Sequence, residues 1–391
     1  MRNALTLLIA LAAVTFVVLA GCKDQGNEAG SGGVTEDSVK LGLFVSTTGA
    51  IADFGLATKN GADIAVSEIN AAGGINGKQV ELVFYDIASK PEEAKSAATK
   101  LATQDKVLVG MGAVASSLSL TAAPTFQTNG VPMVSPSSTF PPVTEKGDLI
   151  FRICFTDEFA GAALAQFAFE DLGKRKAAII MNQDDPYSTG LANYFKARFE
   201  QLGGKVETTE KFANNTSDFN TQVDNVKSAT PDIVFAPVYY NDITLIGQQL
   251  RGKGVTVPIL GSDGWESPTL LKNAAKDLEG CYFGNHYSQN DPDEMVQGFI
   301  KTYADKHGDK PSSLAALGYD VVYFVKNAVD KAGTFDRAKV AGAMRNTKDL
   351  KGVTGTYTID NKRNASKPIT MLKITGGKVE MVRQIMPEEV K

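Results

Sequence analysis

The chain has 391 residues, with 40 basic and 44 acidic side chains interspersed along it and a formal net charge of −4. This length is too great for one hydrophobic core and suits two. The absence of a basic patch argues against nucleic-acid binding. Three cysteines are too few for a disulfide scaffold.

The first residues have the pattern of a bacterial lipoprotein signal. Arg2 provides the positive start, residues 4–18 the apolar segment, and residues 19–22 the Leu-Ala-Gly-Cys cleavage box. We interpret 1–22 as a signal rather than a transmembrane anchor, because the apolar run is short and no basic stop signal follows it. We therefore expect export, cleavage before a lipidated Cys22, and attachment to a membrane. Residues 23–37 are predicted to form a flexible tether.

Strand and helix patterns alternate after the tether. In the first half we predict strands at 39–46, 79–86, 107–110 and up to Val134, and helices at 55–71, 91–103 and 116–128. The same order restarts with strands at 176–181, 205–212, 232–238 and 257–260, and helices at 188–202, 218–229 and 242–253. A Gly-Gly pair ends the first helix of each half, which is a common helix C-terminal signal. The pattern predicts two similar α/β lobes, each built on a parallel sheet.

One tract, 107–144, carries no charged side chain, although charged residues make up 21% of the chain. It is rich in hydroxyl groups in the loops 111–117 and 135–140, which follow two predicted strands. Ligands of parallel sheets bind beyond the carboxyl ends of the strands, where hydroxyls and free N–H groups can hold a small charged ligand. The alternative is that these residues only cap helices and form turns. We favour a site for the cluster as a whole.

Several motifs make the chain resemble the branched-chain amino-acid substrate-binding proteins of ABC importers. The motifs are Ile-Asn-Ala-Ala-Gly-Gly-Ile-Asn-Gly-Lys at 69–78, Val-Ser-Pro at 134–136, Asp-Asp-Pro-Tyr-Ser-Thr-Gly at 184–190 and Gly-Ser-Asp-Gly-Trp at 261–265. The resemblance covers nearly all of residues 38–385. It implies a type I periplasmic-binding-protein fold, an α/β fold with two doubly wound parallel-sheet lobes joined by three crossing hinge segments.

The resemblance also implies the domain boundaries. Lobe 1 takes 38–152 plus 286–357, lobe 2 takes 155–283 plus 365–391, and the hinge crossings lie near 151–155, 282–287 and 357–364. Cys154 and Cys281 then lie at or beside the hinge. They could pair in an oxidising compartment, but we favour two buried free thiols.

The resemblance further implies how a solute is held. Its α-carboxylate is expected on Ser116 and Thr139 of the first lobe. Ser116 opens a predicted helix, whose N–H groups favour an anion. The ammonium group is expected on the Ser137 carbonyl, the Thr139 hydroxyl and the Asp263 carboxylate of the second lobe. For Asp263 the alternative is a turn or N-cap role.

Aromatic residues are expected to contact the solute's side chain. These are Phe54, Tyr187, Tyr239 and Tyr319, with Trp265 as an additional wall, and core packing is the alternative for each. The resemblance implies a branched-chain aliphatic amino acid as solute and ABC permease subunits as partners. We expect a monomer that has no cofactor and no metal.

Other classes of protein are considered alongside this one. An enzyme is disfavoured, because His286 and His307 lie in no metal-spaced cluster and the adjacent Asp184 and Asp185 make a poor acid–base pair. We interpret these four residues as parts of solvated loops. The same fold could serve a sensor, or bind an amide, urea or an aromatic acid. A solute without an ammonium group would have little use for Asp263.

Overall fold

The computed structural model describes residues 33–390. The predicted signal, Cys22 and most of the tether lie outside the described residues. The strands are β1 Ser38–Val45, β2 Gln79–Asp86, β3 Val109–Gly112, β4 Met133–Ser135, β5 Ile150–Arg152, β6 Lys176–Asn182, β7 Lys205–Phe212, β8 Ile233–Phe235, β9 Ile259–Gly261, β10 Tyr282–Asn285, β11 Leu350–Gly352, β12 Gly355–Ile359, β13 Ala365–Ser366, β14 Ile369–Thr375 and β15 Lys378–Ile385.

Helices alternate with the strands through most of the chain. The α-helices are α1 Ala52–Ala71, α2 Pro91–Thr99, α3 Ser116–Thr128, α4 Asp157–Gln166, α5 Pro186–Gln201, α6 Asn220–Ala229, α7 Tyr240–Gly252, α8 Pro268–Ala274, α9 Glu294–His307, α10 Ser313–Ala332 and α11 Arg337–Arg345. The predicted helices are all present, with one difference in type. The segment after α2, Lys100–Gln104, forms a π-helix instead of continuing the α-helix.

Two sheets with the same strand order form the centres of two lobes. The first sheet is parallel in the order β2-β1-β3-β4-β5, and the second runs β15-β14-β10-β9-β8-β6-β7. Strands β6 to β10 of the second sheet repeat the first order, and the hairpin β14–β15 adds an antiparallel edge. This order is that of doubly wound folds, which confirms the predicted fold class.

The helices and the chain crossings complete the lobes. Helix α10 packs along α1 and α11 packs on α10, so the chain returns to the first lobe after β10. The small sheet β11-β12-β13 precedes the return to the second lobe at β14. Part of the crossing expected near 282–287 is strand β10, which pairs with β9 and β14.

Local sequence explains why the elements end where they do. Gly73 and Gly74 follow α1 with φ of 99° and 83°, and Gly203 follows α5 with φ of 95°. Side chains with a Cβ rarely adopt this left-handed region, so glycine allows the chain to turn back into the next strand. Strands β3, β8 and β9 are buried at every residue, as expected for parallel strands covered by helices on both faces. The carboxyl ends of both sheets then face one another across a cleft.

Candidate functional site

A pocket with about 270 Å³ of empty space, part of it open to solvent, lies between the carboxyl ends of the two sheets. Residues of both lobes line it, namely Phe54, Val114, Ala115, Ser116, Ser137, Tyr187, Tyr239, Asp263, Gly264 and Leu314. Most of them follow strands next to the point where the strand order reverses, where doubly wound sheets bind their ligands.

The first lobe presents the start of helix α3 to this cavity. Ser116 is the first residue of the helix, and Ala115 before it provides no side-chain cap. The first N–H groups of a helix have no acceptor inside the helix, and the dipole favours negative charge there. The Ser116 hydroxyl is buried and accepts a hydrogen bond from the Phe140 N–H over 3.3 Å. This wall can therefore bind a carboxylate without a basic side chain.

Several hydroxyl groups of the charge-free tract hold its two loops together. Ser135 Oγ donates to the Ala113 carbonyl over 2.8 Å, and Ser137 Oγ donates to the Val114 carbonyl over 3.2 Å. Ser138 Oγ donates to the same Val114 oxygen over 2.9 Å. The alternative role in turns is therefore correct for these hydroxyls. The Ser137 hydroxyl is occupied by the Val114 carbonyl, so the main-chain carbonyl of Ser137 is the group left to contact a ligand.

Thr139 follows directly in the same loop but does not itself line the cavity. Its side chain is buried, and its hydroxyl oxygen has no hydrogen-bond partner among residues 33–390. Its carbonyl accepts a hydrogen bond from the Asp157 N–H over 3.0 Å. A buried hydroxyl without a partner is costly in a folded protein. Thr139 is thus a buried polar group two residues from the cavity-lining Ser137 and beside the Asp157 carboxyl.

The guanidinium of an arginine outside the charge-free tract binds main-chain carbonyls of the same loop. Arg152 of β5 is fully buried and donates to the carbonyls of Ser138 over 2.7 Å, Phe140 over 2.8 Å and Pro141 over 3.0 Å. Its guanidinium is thus directed at main-chain oxygens of the loop. Sequence reasoning missed Arg152, although a charged residue inside an apolar strand was a usable signal.

Two stacked tyrosines form the wall on the side of the second lobe. The rings of Tyr187 and Tyr239 are parallel within 5°, with centroids 5.0 Å apart. Phe54 of the first lobe meets Tyr239 edge-on at 5.7 Å. The three aromatic rings are therefore in contact across the cleft. They form an apolar surface of the kind expected around an aliphatic side chain.

The Asp263 carboxylate lies at the cavity and is held by three neighbours. Asp263 begins a short 3₁₀ helix after β9 and is only 7% exposed. Its Oδ1 accepts hydrogen bonds from the Tyr187 hydroxyl and from Ser262 Oγ, both over 3.1 Å. Its Oδ2 is 3.2 Å from His286 Nε2. A buried carboxylate facing a cavity is suited to a cationic group of a ligand.

His286 and Asp185 do not lie in solvated loops, so that interpretation was wrong for both. His286 follows β10, is buried, and stacks on Phe155 with ring centroids 4.0 Å apart. Burial lowers the pKa of its imidazole. Asp185 caps α5 by accepting from the Tyr187 N–H over 3.3 Å, and burial raises its pKa to about 6. Asp184 and His307 are exposed, as expected.

Asp157 is a second buried carboxyl that sequence reasoning missed. It is the first residue of α4, where an acidic residue is easily explained as favourable to the helix dipole. Both of its side-chain oxygens are buried without a hydrogen-bond partner in the described part of the chain. Burial raises its pKa well above the ordinary value, the neighbouring Thr139 hydroxyl opposes this rise, and the nearby Asp263 raises the pKa further. Such perturbed groups cluster at functional sites.

Trp265 and Tyr319 do not form the cavity walls expected of them. Trp265 is fully buried in the second lobe, where its Nε1 donates to the Ala236 carbonyl over 3.0 Å. The Tyr319 hydroxyl donates to Glu68 over 2.6 Å, on the face of α10 that packs along α1. Leu314 of the same helix lines the cavity instead.

Hydrogen bonds across the mouth of the cleft show that the lobes are closed. The Tyr240 hydroxyl of the second lobe donates to the Ala50 carbonyl of the first over 3.1 Å. Ser267 Oγ donates to Asp53 Oδ2, also across the cleft. The Ser313 N–H at the start of α10 donates to Glu266 over 2.8 Å. A solute in the cavity is therefore enclosed by both lobes.

Within the described part of the chain, the remaining reactive side chains do not form a second site. Cys154 and Cys281 are buried free thiols, as we favoured. Among residues 33–390, no group of three or more His, Cys, Asp or Glu side chains is arranged to hold a metal ion. No helix in that range is both long and apolar enough to cross a membrane.

Comparison with known proteins agrees with this architecture. A homolog 1 of the Leu/Ile/Val-binding protein from Brucella suis biovar 1 is 30% identical over 340 residues, which is 86% of this chain and 90% of that protein. The leucine-binding protein LivK from Thermotoga maritima has a TM-score of 0.85 and 35% identity, covering 90% of this chain and 99% of its own. The substrate-binding protein LivJ of a Streptococcus pneumoniae branched-chain amino acid transporter, solved with isoleucine, has a TM-score of 0.83 and 32% identity, covering 89% of this chain and 100% of its own.

The family match itself extends over both lobes. Residues 38–378 match the family described as periplasmic binding proteins. Proteins of this family act outside the cytoplasm and bind solutes rather than convert them. By its sequence, its strand order and its interlobe cavity, the chain belongs to the periplasmic binding protein family.

Proposed function

We propose that the chain captures an amino acid with a branched aliphatic side chain between its lobes and delivers it to an ABC importer. One observation carries the proposal: the charge-free start of α3 at Ser116 and the carboxylate of Asp263 line the same small cavity from opposite lobes. A zwitterion has two charged ends of opposite sign, and each end then meets a suitable wall. The names of the relatives, and the isoleucine in one of them, support this choice of solute.

Each end of the solute has its own set of groups in this proposal. The α-carboxylate is bound by Ser116 and the first N–H groups of α3, with Thr139 nearby. The ammonium is bound by the Ser137 carbonyl, the Thr139 hydroxyl and Asp263. Phe54, Tyr187, Tyr239 and Leu314 surround the aliphatic side chain. Tyr319 and Trp265 have no direct role.

The energetics suit reversible capture. Hydrogen bonds to charged groups contribute about 1.5–3 kcal/mol each, and burying a branched aliphatic side chain adds about 1.5–3 kcal/mol. Micromolar affinity needs about −8 kcal/mol, which a few such contacts supply after the entropic cost of binding. Only the closed form contacts both ends, so the solute shifts the open–closed equilibrium toward closure. The closed form is the one that docks on the permease.

The predicted signal supports a lipid-anchored form of this exported protein. In this proposal Cys22 carries the lipid, residues 23–37 form the tether, and the two lobes act as a monomer at the membrane surface. Lobe boundaries at 38–152 plus 286–357 and at 155–283 plus 365–391 remain our proposed division. Metabolic labelling with palmitate, compared with a Cys22→Ser variant, tests the anchor.

The solute is tested by identifying what the protein binds. Mass spectrometry of the solute released from the purified protein is followed by calorimetry with L-leucine, with 4-methylpentanoate, which lacks the ammonium, and with 3-methylbutylamine, which lacks the carboxylate. We expect leucine to bind and both truncated compounds to bind at least about tenfold more weakly. Asp263→Asn is expected to weaken leucine binding at least about tenfold, whereas Asp184→Asn in an exposed loop leaves it unchanged. Equal binding of 4-methylpentanoate would contradict the role of Asp263.

A further inference from the structure

We propose that His286 is a positioning residue that fixes the Asp263 carboxylate for the solute's ammonium group, acting as a neutral imidazole protonated on Nε2. The inference rests on the proposed amino-acid site and adds a residue that does not line the cavity itself. His286 Nε2 lies 3.2 Å from Asp263 Oδ2, and the histidine side chain is fully buried.

The surroundings of the ring decide its protonation state. His286 Nδ1 is buried and has no hydrogen-bond partner among the described residues. A neutral imidazole carries one N–H, and the hydrogen bond made by the ring sets which nitrogen carries it. The acceptor Asp263 lies at Nε2, so the proton belongs there and Nδ1 keeps its lone pair. Stacking of the ring on Phe155, with ring centroids 4.0 Å apart, fixes its plane.

The position of the ring fixes the rotation of the carboxylate. Tyr187 and Ser262 both donate to Asp263 Oδ1, whereas His286 is the side chain that contacts Oδ2. With one donor on Oδ2, an acceptor position of that oxygen is left for a further donor. The three donors together hold the carboxylate in one orientation before the solute arrives, which reduces the entropic cost of binding.

The charged groups around His286 explain why it must be neutral. Asp263 faces Nε2 and favours the protonated ring, whereas burial and the buried cation Lys367, just after β13, oppose it. Burial is the largest effect, so the pKa of His286 is lowered. Cys154 from the first crossing is a neutral thiol, because burial raises its pKa to about 12. At neutral pH the ring is uncharged, so it does not repel the ammonium group of the solute.

Protonation of His286 is expected to weaken binding of the solute. A protonated His286 would neutralise Asp263 and repel the ammonium, so the solute binds to the form with neutral His286. Because the pKa is lowered, this loss of affinity begins below the ordinary histidine value of about 6.5. Below the pKa of His286 in the solute-free protein, binding releases one proton, and the affinity contributed by this group falls about tenfold per pH unit.

The experiment compares two substitutions at this position. His286→Ala removes the donor, whereas His286→Gln keeps an N–H donor at nearly the position of Nε2 but cannot titrate. In calorimetry with L-leucine at pH 7.5, we expect His286→Ala to weaken binding about tenfold or more and His286→Gln to restore it to within about threefold. Between pH 7 and pH 4.5, wild-type affinity should fall more steeply than that of His286→Gln. His307→Gln, at an exposed histidine, should behave as wild type.

A second readout needs neither solute nor variant. The chain has two histidines, so nitrogen–proton NMR of the ring signals assigns both of them, and His307 provides the exposed reference. We expect His286 to show a protonated Nε2 and a bare Nδ1 at pH 7.5. A proton on Nδ1, wild-type affinity in His286→Ala, or a folded His286→Gln as weak as His286→Ala would each overturn the inference. Absence of amino-acid binding by the unaltered chain would instead overturn the proposed function itself.

Discussion

The hydroxyl of Tyr187 donates a hydrogen bond to Asp263 Oδ1 over 3.1 Å, and the Tyr187 hydroxyl oxygen accepts a hydrogen bond from the Gly264 N–H over 3.0 Å. One phenol therefore links helix α5 to the loop after β9. This link holds the proposed ammonium-binding carboxylate against the aromatic wall of the cavity.

Tyr187→Phe removes this link while keeping the stacked ring. We expect L-leucine affinity to fall about tenfold or more, since a hydrogen bond to a charged group contributes about 1.5–3 kcal/mol. Calorimetry at pH 7.5 checks the value. Tyr194→Phe on the same helix is the control, because that side chain is partly exposed and does not line the cavity. Equal affinity of the two variants would remove the link from the binding mechanism.

Asp157→Asn is expected to raise the thermal stability of the folded protein. The wild-type pKa is raised by burial, so ionising Asp157 destabilises the folded state, and this cost grows as pH rises above about 3.8. At pH 7.5 the variant without solute should melt at least about 2 °C higher, which is about 1 kcal/mol for a chain of this size.

Thermal unfolding at several pH values tests the direction of this pH-dependent change in stability. The difference in melting temperature between Asp157→Asn and wild type should shrink as pH falls from 7.5 to 4.5, since the cost of burying this carboxyl disappears as pH approaches the ordinary value of about 3.8. Glu158→Gln, at the exposed neighbouring position, should show no such trend. A variant that melts lower than wild type at pH 7.5 would show that the Asp157 carboxylate stabilises the fold.

Gly264→Ala is expected to disturb the tyrosine wall. A Cβ at this position would lie 2.7 Å from the Tyr187 hydroxyl and 3.0 Å from Tyr239 Cδ1, which is closer than atoms in contact approach. Overpacking of this kind costs about 1–3 kcal/mol, so affinity should fall between about fivefold and a hundredfold. Gly298→Ala is the matched control, since its Cβ would meet nothing within 4 Å. Calorimetry with L-leucine on both variants measures this loss of affinity.

Tyr240→Phe is expected to speed the release of the solute. The lost hydrogen bond to the Ala50 carbonyl exists only when the lobes are closed, and it contributes about 0.5–1.5 kcal/mol. The closed state should be destabilised by that amount, so the dissociation rate measured by stopped-flow fluorescence should rise about twofold to tenfold. An unchanged rate together with unchanged affinity would mean that this contact does not control opening.

Much of the fold follows from local patterns in the sequence. Alternating strand and helix signals and the Gly-Gly pairs were enough to predict the two lobes, because each element is specified by nearby residues. The proposed cavity residues Phe54, Ser116 and Tyr187 follow predicted strands, and a parallel sheet brings such loops to one edge. The position of this edge could therefore be predicted.

The burial of residues whose neighbours come from other parts of the chain could not be predicted in this way. Arg152 lies in β5, Asp157 at the start of α4 and His286 just after β10, and the groups around them come from other parts of the chain. Each looked like an ordinary strand, cap or loop residue in its local context. Only the tertiary structure shows that all three are buried beside the cavity or its loops.

The direction in which a side chain points from its helix or turn also could not be predicted from the local sequence. Leu314 and Tyr319 are five positions apart on α10, which is a rotation of about 140° around the helix axis. Leu314 therefore faces the cavity while Tyr319 faces α1. Trp265, two residues after Asp263, turns the other way and fills the space beside Gly261.

A crystal structure of the protein with bound L-leucine tests the central claim most directly. The claim predicts the carboxylate within hydrogen-bond distance, about 3 Å, of Ser116 and the first N–H groups of α3, and the ammonium at the same distance from Asp263. An arginine or lysine bound to the carboxylate, or an ammonium remote from Asp263, would contradict it.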